Sequence, residues 1–115
     1  MRIDAVIVMA AAALITGCAG TPSHHAMLQR GGSVRVEPAQ TPGIDYRVTI
    51  LNDVDFGYDP DVPEQRQATA RGVLEQQCPR VELVREQVID GGRNWIGRSL
   101  RTYVIDVRCL ERRAP

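Results

Sequence analysis

The chain predicts a small α+β domain in the order β-α-β-β, with a helix packed on one face of a mainly antiparallel sheet. Three observations carry that expectation. Residues 45–51 and 99–110 alternate apolar and polar side chains with the period of a half-buried strand. Between them, Ala70, Val73, Leu74 and Cys78 recur at helical spacing. The last strand divides cleanly into an apolar face and a polar face, the pattern of a sheet covered by helix on one side.

The first strand is Asp45–Leu51, DYRVTIL, in which Tyr46, Val48 and Ile50 share a face and Arg47 and Thr49 share the other. The helix start is signalled by Asp61-Val62-Pro63-Glu64, a D-x-x-E capping box with Asp61 as the cap and Pro in the first turn, where a missing N–H does no harm. Pro79 ends it, and Gly72 in its interior weakens it by about 1 kcal/mol relative to Ala. VELVREQVI, residues 81–89, is rich enough in β-branched residues for a strand, and Asp90-Gly91-Gly92 marks the expected turn. In the final strand Tyr103, Ile105, Val107 and Cys109 face the core, while Thr102, Asp106 and Arg108 point away.

Ahead of the domain, residues 18–44 are rich in Gly, Pro, Ser, Thr and Gln with no sustained period and read as a flexible tether. As a coil, roughly 26 residues have an r.m.s. span of about 28 Å. Within it Val34-Arg35-Val36 is a candidate short edge strand, and His24-His25 reads as plain linker because no further ligand lies nearby in sequence. The three stretches 1–17, 18–44 and 45–115 are thus expected to be leader, tether and domain.

Residues Ala5–Thr16, AVIVMAAAALIT, form an uncharged apolar run well short of the roughly 20 residues that span a bilayer, which suits the core of a signal peptide. At its end, Ile15-Thr16-Gly17-Cys18 resembles the lipobox of bacterial lipoproteins, in which an aliphatic residue, a small residue, Gly or Ala, and Cys are read by signal peptidase II. The resemblance covers the first twenty residues, with Ile15 where Leu is commonest. It implies a leader removed before Cys18, a diacylglyceryl group on the Cys18 thiol, and further acylation of the new amino terminus by chains such as palmitate. Each buried methylene contributes about 0.8 kcal/mol, so two or more chains anchor stably where one binds only marginally. Ala19 follows the cysteine where an Asp would retain the protein at the inner membrane, so the resemblance implies an outer-membrane anchor facing the periplasm.

Assigning Cys18 to lipid leaves Cys78 and Cys109, an even pair in an exported and therefore oxidising setting. Both lie on core faces, one at the helix end and one on the last strand, so a Cys78–Cys109 disulfide is expected. Closing a loop of about 32 residues contributes about 3.5 to 4 kcal/mol by the chain-entropy model. A domain of fewer than about a hundred residues needs such a staple.

Formal charge is zero, with 14 basic and 14 acidic side chains, and the aromatics are few, so neither a field nor a stacking platform for nucleic acid is present. Residues 53–64 place Asp53, Asp55, Asp59, Asp61 and Glu64 near the ligand positions of an EF-hand loop. Tyr58 stands where that loop needs Gly and Pro60 where it needs an aliphatic with a free N–H, so these acids are weak metal candidates in a solvated loop. No His lies beyond the tether to activate a nucleophile and no Gly-rich phosphate loop opens a helix, so neither enzyme activity nor a cofactor is expected.

Trp95, flanked by Arg93 and Arg98, has the composition of an interface hot spot. The competing reading folds Trp95 over the sheet and leaves the arginines solvated or paired with the acidic loop. The expected role is therefore a membrane-anchored envelope lipoprotein, bound to the membrane through lipidated Cys18, that binds an envelope protein partner or supports a secretion or surface assembly. The alternatives are a regulator of cell-wall hydrolases and a small metal-binding or hydrolytic domain using the acidic loop.

Overall fold

The computed structural model describes residues 20–55 and 57–112, so the apolar leader, the lipobox and Cys18 lie outside the described residues. Six elements follow one another: α1 (Pro22–Arg30), β1 (Val34–Pro38), β2 (Tyr46–Leu51), α2 (Pro63–Val73), β3 (Arg80–Arg93) and β4 (Ser99–Glu111). The strands make one antiparallel sheet in the order β1-β2-β4-β3, an α+β domain with both helices contributing to the core on one face. β4, whose Tyr103, Ile105 and Val107 share the core face, takes an interior position between β2 and β3.

Parity decides the layers. Val48 and Ile50 of β2 and Tyr103, Ile105 and Val107 of β4 are buried with Ala70 of α2, Leu74 at its C-cap and Leu28 of α1. Cys78 and Cys109 are joined, with their Cα atoms 5.5 Å apart, and tie the end of the α2 turn to β4. Helix α2 begins with Pro63 at its first turn, but its cap is Val62 with no side-chain cap bond. Asp61 is drawn away from capping by the Tyr103 hydroxyl and Asn52, which donate to its carboxylate. The helix proper ends at Val73, and the chain turns through residues 74–77 before Pro79.

The stretch 18–44 does not behave as a tether beyond Gly20. Thr21 caps α1, accepting from the His24 N–H at 3.1 Å, with Pro22 opening the first turn. His24 and Leu28, four residues apart, are buried on one stripe, and β1 pairs with β2 from Val34↔Ile50 to Pro38↔Tyr46. Only two apolar-facing positions in nine residues carry that docking, too short a stripe to stand out as a period, while Pro38 ends the edge strand as its missing N–H requires.

The expected turn at Asp90-Gly91-Gly92 is likewise displaced. Pairing of β3 with β4 runs on to Arg93↔Ser99, and residues 90–93 form an irregularity in the ladder, with Gly92 at φ +81° and the Asp90 side chain accepting from its N–H. The hairpin closes at residues 94–98.

Candidate functional site

The β3–β4 hairpin reaches past β2, whose pairing stops at Leu51↔Thr102, so its far end stands clear of the rest of the sheet. Its turn is braced by Asn94. The Asn94 N–H donates to the Arg98 carbonyl at 2.9 Å, and the Asn94 side-chain oxygen accepts from the N–H groups of Ile96 and Arg98 at 3.1 and 2.9 Å. Gly97, at φ +85°, supplies the left-handed residue the turn needs and donates back to the Asn94 carbonyl.

With the backbone fixed in this way, the side chains at the apex have nowhere to fold. Trp95 is 94% exposed and Ile96 64% exposed. Trp95 therefore does not lie over the sheet. Arg93 donates to the Gly97 carbonyl at 3.2 Å and Arg98 to the Asn52 carbonyl, so both guanidinium groups are held beside the apex with N–H groups to spare. Arg101 closes the base of the arm with an ion pair to Asp61 at 3.3 Å. The structure brings Arg93, Trp95 and Arg98 together on one rigid tip, a protruding aliphatic and aromatic pair bordered by positive charge. Val88 and Ile89 on the same arm are also exposed.

No protein-family model, curated protein or solved structure matches this chain.

The acidic loop is used differently from the spacing of its carboxylates. Asp53 accepts from the Ser33 hydroxyl, Asp59 accepts from the Asp61 N–H, and Glu64 is exposed on the first turn of α2. Asp55 lies 3.9 Å from His24 Nε2, and its backbone closes a small bridge with Tyr58. Burial pushes the Asp61 carboxyl up, but hydrogen bonds from Tyr103 and Asn52 together with the Arg101 charge outweigh it and hold the group below the usual carboxylate range. Four of the five acids face different partners and Glu64 is exposed, and among the described residues no three His, Cys, Asp or Glu side chains gather as metal ligands.

Two clusters escaped the sequence. Arg66, buried in α2, donates bidentately to Glu86 on β3 at 2.7 and 2.8 Å, reaches the carbonyls of Pro60 and Asp61, and lies 4.0 Å above the Tyr103 ring. It locks the base of the hairpin arm to the helix. On the opposite sheet face Asp106 is shared by Arg47 and Arg85, one from each flanking strand, at 2.9 and 3.0 Å. Neither cluster has a sequence signature, because its members are brought together by strand order. The third missed feature is the His24–His25 pair, which the Thr21-Pro22 start signal could have placed on a helix.

Proposed function

We propose that this protein is a lipoprotein of the bacterial envelope, anchored at the outer membrane through Cys18 and facing the periplasm, that binds an envelope protein partner through the tip of its β3–β4 hairpin. The anchor rests on the lipobox resemblance of Ile15-Thr16-Gly17-Cys18 and on the apolar run before it. No helix among the described residues is long and apolar enough to cross a membrane.

The observation that carries the binding role is the exposure of Trp95 on a backbone that leaves it no intramolecular packing. Leaving an aromatic of that size in water gives up the several kcal/mol that its burial yields, and its turn is already rigid, so little entropy is lost when a partner covers it. Trp and Arg are the residues most enriched at interface hot spots. The role is one of binding, and no catalytic residue is assigned.

A photo-reactive side chain placed at Ile96 in the anchored protein, irradiated in intact cells, tests this reading. Trp95→Ala should reduce the yield of the crosslinked partner by about tenfold or more, the loss expected on truncating a hot-spot aromatic. The same products at the same yield from both proteins would remove the hairpin tip as the contact site. The protruding arm also has the shape of a wedge for an enzyme cleft. A lysozyme-inhibition assay distinguishes that narrower reading.

A further inference from the structure

We propose that helix α1 is a pH-sensitive latch, docked on α2 by the neutral imidazoles of His24 and His25 and released when they are protonated. Three observations on separate elements support it.

His24 is 4% exposed, and its ring packs edge-on against Tyr58 with centroids 5.1 Å apart. Its Nδ1 accepts from the Gly20 N–H at 3.3 Å, which places the proton of the neutral ring on Nε2. Protonation would set a second N–H where Gly20 already donates, opening the first turn of α1. His25 packs its ring against the backbone of Gly72 in α2, so closely that a Cβ there would lie 2.1 Å from His25 Cε1. The Nε2 atoms of both rings are buried without a hydrogen-bond partner. A charge on the His25 ring would therefore be placed where its Nε2 has no acceptor within hydrogen-bond distance, while His24 Nε2 has only Asp55, beyond that distance.

Asp55, from the 53–59 loop, lies 3.9 Å from His24 Nε2. Glu75, just past α2, favours a charged His25, and Arg71 of α2 lines the same surface. Against a charge on His25 stand the burial of its ring, the His24 imidazole at 6.2 Å between centroids, and the positive N-terminal end of α1. Burial first, and then His24, push the His25 imidazole below its ordinary value of 6.5, with Glu75 opposing. Docking then holds above about pH 6.5 and weakens as pH falls below that, because the undocked chain takes up the protons more readily.

Gly31 and Gly32 form a ready hinge after α1, Gly32 already at φ +83°, and β1 beyond it is secured by its ladder to β2. Release would leave the sheet intact, with Ser33 still accepting from the Leu51 N–H, and add residues 20–32 to the link ahead of the domain, about 20 Å of reach as a flexible coil. If the anchor of the proposed function holds, that reach is added between membrane and domain. The latch itself rests on the α1–α2 geometry alone.

Amide hydrogen exchange on the full chain in detergent micelles, corrected for the intrinsic pH dependence of exchange, tests the latch. Between pH 7.5 and pH 5, protection of the α1 amides should fall at least tenfold while that of β2 and β4 stays constant. The fall should share its midpoint with the ring-proton titration of His24 or His25, and His24→Gln with His25→Gln should abolish it. Unchanged α1 protection at pH 5, or a fall that the double variant retains, would overturn the proposal. If the double variant fails to dock α1 at pH 7.5, the wild-type midpoints decide: a fall displaced from both histidine titrations rejects the latch.

Discussion

Asp106 is nearly buried yet charged, and its two arginine partners explain why the sheet tolerates it. Burial pushes its carboxyl up, but the hydrogen bonds and charges of Arg47 and Arg85 outweigh burial and hold it below the usual carboxylate range. A carboxylate depressed in the folded state contributes stability that is fully present above its unfolded value near 4 and is lost as pH falls through the lower folded value. Both arginines are about half exposed, so the contribution is discounted for solvent. Asp106→Asn should cost about 1–3 kcal/mol in urea unfolding at pH 7 and flatten the loss of stability below about pH 4. An unchanged acid limb would assign that limb to other carboxylates, Asp61 and Glu86 being the next candidates because both are also held low. The outward position of Asp106 was legible from the alternation of β4. Its partners were not, since they depend on β4 lying between β2 and β3.

At the scale of elements, the sequence located what has a period and missed what is fixed by contact. The alternation in 45–51 and 99–110 and the apolar stripe from Ala70 to Cys78 lead directly to β2, β4 and α2. Helix α1 was hidden because its buried stripe is only two residues, His24 and Leu28. The hairpin turn was misplaced because Asp90-Gly91-Gly92 has turn chemistry but serves as an irregularity within a longer ladder. Gly72 shows the same difference between propensity and packing. Ala in its place gains about 1 kcal/mol of helix propensity, yet its Cβ would collide with the His25 ring. Gly72→Ala should therefore reduce protection of the α1 amides even as α2 gains propensity; equal or greater α1 protection would show that the ring shifts without cost. The disulfide was legible from face parity and cysteine count together. Replacing Cys78 and Cys109 by Ala should lower unfolding free energy by about 3.5–4 kcal/mol in urea titration, with a loss under about 1 kcal/mol contradicting a stapling role.

As a whole molecule, the chain combines a short apolar start, a two-helix and four-strand domain, and an arm that carries Trp95 away from the core. The two sheet edges differ: β1 is short and ends in Pro38, whereas β3 runs for 14 residues and leads directly into the tip. The proposed contact site was legible as composition, an aromatic among arginines, but its protrusion was not, because that follows from how far β3 and β4 outrun β2. The proposed anchor would fix where the arm acts and which compartment oxidises the disulfide. Labelling growing cells with radioactive palmitate tests it most directly. Wild-type chain should be labelled and shortened to begin at Cys18, and Cys18→Ser should be unlabelled and keep its leader; label retained by Cys18→Ser, or a wild-type chain never labelled, would contradict the account.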